Sequence, residues 1–346
     1  MQALLTKWQH HPELRHVDDP TPGPGQVLVK VGGAGACHSD LHLLEDFDGS
    51  VMSFSPPFTL GHENAGWVEA LGAGVTGLEV GQPVAVYGPW GCGTCRACRL
   101  GMENYCEHQA EIGVMGGGLG ADGGMAPLLL VPSARLLVPL GDLDPVAAAP
   151  LTDAGLTPYH AIKRSLSLLV PGSTAVVIGA GGLGHLGIQI LGELSPARIV
   201  VVEQRDEAMA LAREVGADHV VRAGADAAAE VRELTRGRGA ELVVDFVGVD
   251  ATIALGVAVG RSLGHLTVVG AAGGSYAYGM FSAPYELALS TTYWGSQPEL
   301  IEVLALAEAG RLTPHVERFS LADAPKAYEA LRAGTLKGRA VITPNA

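Results

Sequence analysis

Four cysteines fall within fifteen residues of this 346-residue chain, as Cys92-x2-Cys95-x2-Cys98-x7-Cys106. Four thiolates in one short loop suit a closed tetrahedral zinc site, which is structural because no coordination position stays open. Two disulfides or an iron–sulfur cluster would use the same side chains. The odd total of five cysteines argues against a disulfide framework, and zinc is the expected metal. The fifth cysteine begins a second concentration of chemistry. Cys37-His38-Ser39-Asp40-Leu41-His42 puts a thiol, a hydroxyl, a carboxylate and two imidazoles in six residues. Gly61-His62-Glu63 follows, its histidine 25 residues after Cys37.

A glycine loop lies further on. Gly179-Ala180-Gly181-Gly182-Leu183-Gly184 fits G-x-G-x-x-G, follows the apolar run Thr174–Ile178 and opens an amphipathic segment. That context makes it a dinucleotide-binding turn. The first glycine allows the tight turn, the second admits a pyrophosphate and the third packs helix on strand. The helix N-terminus then offers unpaired N–H groups to the phosphates. Glu203 ends the next strand 19 residues after Gly184, where a carboxylate accepts hydrogen bonds from the adenosine ribose and repels a 2′-phosphate. Arg205 could pair with such a phosphate or with Glu203, and NAD is the expected coenzyme. Beside a dinucleotide site, Cys37 and His62 suggest a second zinc, a catalytic one with three protein ligands and one open position. Each residue also has a plainer reading: a lone cysteine is usually a small buried hydrophobe, and a His–Glu neighbour a surface pair.

These groups need a scaffold. Gln26–Val31 alternates polar and apolar, and Trp67–Leu71 and Pro83–Tyr87 are further strand candidates, so the first third reads as a β-rich domain with long loops. After Pro150 the character changes. Strands at Thr174–Ile178, Arg198–Glu203, Glu241–Val247 and His265–Val269 alternate with helical segments, including Glu207–Val215 closed by Gly216, which predicts a doubly wound parallel sheet. Hydrophobic residues are 48% and charged residues 17%, which excludes a disordered chain. Net charge is −14, which opposes binding to nucleic acid by phosphate neutralisation. No run of eighteen apolar residues and no secretory segment at the N-terminus is present, so a cytoplasmic location with no membrane partner is expected.

Cys37-His38-Ser39-Asp40, Gly61-His62-Glu63, the four-cysteine loop and the glycine loop occur in the order of the zinc-dependent medium-chain alcohol dehydrogenases, and the resemblance spans essentially the whole chain. Val86–Gly93 and Pro150–Gly155 look most like bacterial NAD-dependent secondary-alcohol dehydrogenases. The resemblance implies a GroES-like catalytic domain over 1–152 and 296–346, with a structural-zinc lobe near 90–108, and a Rossmann domain over 153–295. It implies two zinc ions per chain. Cys37 and His62 match catalytic-zinc ligands, and Asp153 stands where the family usually has a third ligand, a cysteine. With a neutral histidine, that ligand set brings a zinc site to zero net charge. Glu63 matches a carboxylate beside the metal, Asp40 the group orienting the ligand histidine, Ser39 the hydroxyl that takes the substrate proton and His42 the basic end of the relay. Ser39 would equally suit a helix N-cap. The implied reaction is oxidation of a secondary alcohol, held on zinc as its alkoxide, by hydride transfer to nicotinamide C4, and the reverse. Val269 and Gly270 would lie against the nicotinamide and Arg339 on the pyrophosphate. Leu119, Tyr293 and Trp294 are pocket candidates, and a homotetramer is expected by analogy. Other readings are a polyol, threonine or aldehyde-linked dehydrogenase with the same metal site, a zinc-free quinone or enoyl reductase, a zinc-stabilised nucleic-acid-binding module, and a non-catalytic descendant of the fold.

Overall fold

The structure is a computed structural model that describes residues 1–5, 12–45 and 56–346. It divides into two compact units, Met1–Leu156 with Trp294–Gly310 and Pro314–Ala346, and Thr157–Tyr293 with Arg311–Thr313. The division falls after Leu156 rather than after residue 152, so Asp153 belongs with Cys37 and His62.

The first unit is built on a mostly antiparallel seven-stranded sheet. Its main path runs Val316–Ser320, Arg339–Thr343, Val27–Ala36, Glu63–Leu71, Pro83–Val86 and Leu137–Pro139, with Leu128–Val131 also paired to Val27–Ala36. Two strands extend beyond their sequence patterns. The first was expected to end at Val31 and continues to Ala36 through Gly32, Gly33 and Gly35. Side chains there would meet the neighbouring layer: a Cβ at Gly33 would lie 2.9 Å from Val341 and one at Gly35 would lie inside the Glu63 carboxylate. Its partner was expected from Trp67 and begins at Glu63, because Gly35 pairs with Glu63 and Ala34 with Asn64. On the other side Ala36 pairs with Ala340. This register brings Cys37, Glu63 and Arg339 to one end of the sheet.

The second unit carries a six-stranded, wholly parallel sheet. Its order is His219–Arg222, Arg198–Glu203, Thr174–Ile178, Ala240–Asp245, Gly260–Val268 and Ala288–Thr291. In chain order this is third, second, first, fourth, fifth, sixth, the doubly wound dinucleotide-binding arrangement. All five residues of Thr174–Ile178 are buried, as a central parallel strand requires. The Glu241–Val247 strand is observed at Ala240–Asp245 and the His265–Val269 strand at Gly260–Val268. Among the described residues no helix is long and apolar enough to cross a membrane.

Helix Gly184–Leu194 packs closely on the first parallel strand. A Cβ at Gly184 would stand 1.9 Å from the Gly179 carbonyl oxygen, whereas one at exposed Gly192 would meet nothing closer than 4.0 Å. Gly184→Ala is therefore expected to lower stability by about 2 kcal/mol through overpacking. Gly192→Ala should raise it by roughly 0.5–1 kcal/mol through helix propensity. Thermal midpoints of the two variants moving in the same direction would contradict this assignment.

Candidate active site and metal centres

Cys37 leaves the long central strand and leads into helix His38–Glu45. His62 follows Gly61, whose φ of +96° is open to glycine and strained for other residues. Asp153 follows the short helical turn Ala149–Thr152. One ligand atom from each of Cys37, His62, Glu63 and Asp153 lies within 4.8 Å of every other. Three of the four are buried and Asp153 is 14% exposed, so this His–Glu pair is no surface feature. His62 Nε2 stands 3.6 Å from Asp153 Oδ2. Glu63 is engaged by Arg339, with Arg339 Nε donating to Glu63 Oε2 at 3.0 Å and Nη2 donating to Oε1.

Four acidic groups and one fixed guanidinium around an imidazole favour positive charge. Burial opposes ionisation of Cys37, yet the Arg339 charge and the His62 hydrogen bond bring its thiol down to about 7. Burial also opposes charge on His62, and Asp40 and Asp153 outweigh it, holding the imidazole well above its usual range. A site that stabilises a proton on His62 would stabilise a divalent cation there as well. Cys37, His62 and Asp153 form a mixed S, N, O donor set suited to zinc, so the residues fit that metal.

Asp40 sets the geometry behind this cluster. Its Oδ1 lies 3.1 Å from His62 Nδ1, which leaves Nε2 as the lone-pair donor. Its Oδ2 accepts the Cys37 backbone N–H at 3.0 Å and the Tyr328 hydroxyl at 2.8 Å. The helix begins at His38, so Ser39 lies within the first turn rather than at the N-cap, and Asp40, one residue further, reaches back to the Cys37 N–H. Ser39 Oγ instead sits 3.4 Å from Cys37 Sγ. His42 is half-buried three residues further along, on the same helix face.

The cysteine loop is a separate lobe. Cys92, Cys95, Cys98 and Cys106 also have sulfurs within 4.8 Å of one another, and none is in a disulfide. Backbone N–H groups point at the sulfurs: Cys95 N–H donates to Cys92 Sγ at 3.3 Å, Cys98 N–H to Cys95 Sγ at 3.4 Å and Cys92 N–H to Cys106 Sγ at 3.3 Å. Hydrogen bonds from Thr94 and Cys95 pull the Cys92 thiol down to about 5, while burial pushes Cys98 up to about 12. A divalent cation would supply the charge needed to ionise all four. Among the described residues, only Ala97, Met102 and Ile112 pack with them in this small cluster, which is little apolar support for a lobe. Buried Glu103 pairs with Arg135 and accepts the Gly91 N–H, while Arg135 donates to the Gly91 carbonyl at 2.7 Å, clamping the turn before Cys92.

In the second unit, Gly179 has φ +86°. A Cβ on Gly181 would meet only Arg205 Nη2, at 3.5 Å, so internal packing does not require that glycine. Space beside a helix N-terminus that the protein itself leaves open is what a pyrophosphate needs, and the residues fit a dinucleotide. Gly182 and Leu183 complete the turn, half-buried. Glu203 is buried; its Oε2 accepts the Ala180 N–H at 2.8 Å and its Oε1 those of Gln204 and Arg205 at 2.7 and 3.0 Å. It thus ties the glycine loop to the strand end, and its Oε1 stands 3.9 Å from Arg205 Nε. Val269 and Gly270 both donate to the Asp245 carbonyl, and Gly270 packs so closely on Val247 that a Cβ would lie 2.2 Å away.

Arg339 is 2% exposed; its guanidinium pairs with Glu63 and its Nη2 lies 4.0 Å from Asp153 Oδ2. Trp294 is core, 4% exposed, with its ring edge-on to His62 at 5.7 Å and Nε1 donating to the Thr152 carbonyl at 3.1 Å. Its φ of +52° is a strained value for a bulky residue. A Cβ on Gly88 would stand 2.1 Å from its indole, so Gly88 makes room for it. Leu119 is buried in the turn between Gly116–Gly117 and Gly120–Ala121, and Tyr293 belongs to the other unit. Tyr328 had no local signal; it reaches Asp40 across 288 residues of sequence.

Comparison with known proteins finds likeness over nearly the whole chain. Residues 23–142 match the alcohol dehydrogenase GroES-like domain and residues 182–309 the zinc-binding dehydrogenase domain. The chain is 36% identical to an NAD-dependent alcohol dehydrogenase of Sulfurisphaera tokodaii, covering 96% of each. It is also 36% identical to a D-arabinose 1-dehydrogenase (NADP(+)) of Saccharolobus solfataricus, covering 99% of this chain and 97% of that one. The crystal structure of the alcohol dehydrogenase from Aeropyrum pernix superposes with a TM-score of 0.92 at 36% identity, covering 99% of this chain and 100% of that one. With its sulfur–imidazole–carboxylate cluster, its cysteine lobe and its parallel dinucleotide-type sheet, the chain belongs to the zinc-binding medium-chain alcohol dehydrogenase family and is an oxidoreductase.

Proposed function

We propose that this protein oxidises secondary alcohols to ketones, and reduces them back, with NAD and zinc. The observation that carries the reading is the close grouping of Cys37, His62 and Asp153 in a chain that also holds the open Gly181 turn and Glu203. The first unit acts as the catalytic domain and Thr157–Tyr293 as the coenzyme domain. Cys37, His62 and Asp153 would hold a catalytic zinc, and the four cysteines of the lobe a structural one. Bound zinc supplies a Lewis acid that makes an alcohol hydroxyl easier to deprotonate. NAD, when bound, supplies the hydride acceptor.

The chain's own residues do the rest. Asp40 keeps the His62 proton on Nδ1, which frees Nε2 for the metal. Glu63, neutralised by Arg339, keeps a carboxylate at the cluster without adding net charge. Ser39 Oγ takes the alcohol proton and His42 carries it toward solvent. Glu203 receives the adenosine ribose in addition to its backbone donors, since each carboxylate oxygen has two lone pairs. Val269 and Gly270 shape the nicotinamide end, and within the catalytic unit Trp294 walls the metal cluster beside His62. The protein works in the cytoplasm as a homo-oligomer, by resemblance a tetramer. Support for self-association comes from Met280, Phe281 and Tyr285, which are 76%, 87% and 64% exposed and precede the edge strand Ala288–Thr291. A polyol or sugar-alcohol substrate is the second reading, favoured by the likeness to the D-arabinose 1-dehydrogenase.

Metal analysis of the purified protein is expected to find two zinc ions per chain, falling to one in Cys37→Ala. An unchanged content in that variant would remove Cys37 from the ligand set. Initial rates of NADH formation should be higher with 2-propanol and longer secondary alcohols than with matched primary alcohols, and higher with NAD+ than with NADP+. Turnover of D-arabinose above all simple alcohols would replace this substrate class with the sugar reading. Ser39→Ala should lower kcat by about 10²-fold or more while zinc content and NAD binding persist. Full activity in that variant would take Ser39 out of the proton path.

A further inference from the structure

We propose that Tyr328 is a positioning residue of the catalytic metal site, holding the His62 imidazole and the Cys37 backbone in ligand geometry through Asp40. The inference rests on the reading of Cys37, His62 and Asp153 as zinc ligands.

Asp40 is a carboxylate with no exposure to water, and such a group needs protein donors on both oxygens. Oδ1 faces His62 Nδ1, while Oδ2 accepts both the Cys37 N–H and the Tyr328 hydroxyl. Two of these three partners belong to ligand residues, so the orientation of the carboxylate sets both. The third partner comes from outside the ligand segments. Tyr328 is 2% exposed, and its hydroxyl also lies 3.2 Å from Met125 Sδ. A hydroxyl has one proton, and a carboxylate is a far stronger acceptor than a thioether. The proton therefore goes to Asp40, and Met125 contributes packing. Burial and the Asp40 charge keep the phenol protonated well above its usual range.

The phenol is placed independently of Asp40. Helix Ala324–Ala333 is also joined to helix His38–Glu45 by Arg332, whose Nε donates to Glu45 Oε1 at 2.9 Å. Tyr328 and Arg332, four residues apart, lie on one face of their helix. Without the hydroxyl, a lone pair of Asp40 Oδ2 would face a dry interior. The carboxylate could recover only by turning, and turning would carry the His62 ring and the start of the Cys37 helix with it.

The test measures zinc release from the purified holoenzyme to a colorimetric chelator. The zinc missing from Cys37→Ala identifies the catalytic phase. Tyr328→Phe keeps the ring and removes the hydroxyl; it is expected to speed that phase by about 10-fold or more. The cysteine-lobe phase should stay at its wild-type rate, while the lost buried hydrogen bond lowers the thermal midpoint by a few degrees. Asp40→Asn, one link nearer the metal, should release at least as fast, and Met125→Leu should release at the wild-type rate. Catalytic zinc leaving Tyr328→Phe at the wild-type rate would overturn the proposal, as would equal acceleration of both phases. A wild-type chain carrying only the lobe zinc would overturn the ligand reading and this proposal together. Two zinc ions with an unmoved Tyr328→Phe rate would overturn the Tyr328 role alone.

Discussion

The pairing of Glu63 with Arg339 is the interaction on which the rest of the site depends. Both side chains are buried, and taking either charge out of water alone would cost several kcal/mol. The two-pronged guanidinium–carboxylate geometry offsets that cost only if both arrive in register. They are 276 residues apart, so the last strand must return to the middle of the sheet. Pairing of Ala340 with Ala36 and of Glu63 with Gly35 does this, and Gly35 lacks the side chain that would block the carboxylate. The C-terminal strand is thus part of the active-site architecture, although none of its residues is a candidate metal ligand.

Charge balance follows from that pair. With Glu63 and Arg339 neutralising one another, ionised Cys37 and Asp153 leave two negative charges around a neutral imidazole. A divalent cation cancels them. Asp40 is the other buried carboxylate in the group, and it is satisfied by hydrogen bonds rather than by a cation. Its task is geometrical, which is why all its partners are donors on different segments.

The two metal centres are built by different physics. The cysteine lobe is local: its four sulfurs come from fifteen consecutive residues, and backbone N–H groups of the same turn point at them. Little apolar surface supports it, so a metal would couple directly to its folding. The Cys37 cluster instead draws on a strand end, a left-handed glycine, a helical turn and the C-terminal strand. It would hold its shape through the sheet register and the buried pairs even where individual contacts are weak.

Much was legible in the sequence because it depends on neighbours in the chain. The four-cysteine spacing, the strand–glycine–helix turn at Gly179 to Gly184 and the alternation of strands and helices each express local geometry, and the chain displays them in order. Cys37 and His62 stood out by residue type beside a dinucleotide motif, and Asp153 only by resemblance, since nothing in its spacing brings it within reach of them. The sequence alone therefore determined which residues could bind metal and dinucleotide, and the layered architecture that presents them. Only the tertiary structure decided that Arg339 pairs with Glu63, that Trp294 is a strained buttress against His62, that Asp40 reaches back to the Cys37 N–H, and that Tyr328 completes Asp40. Each of those outcomes satisfies a buried polar or apolar group with a partner far away in sequence, and the need to satisfy it arises only once folding has removed the water.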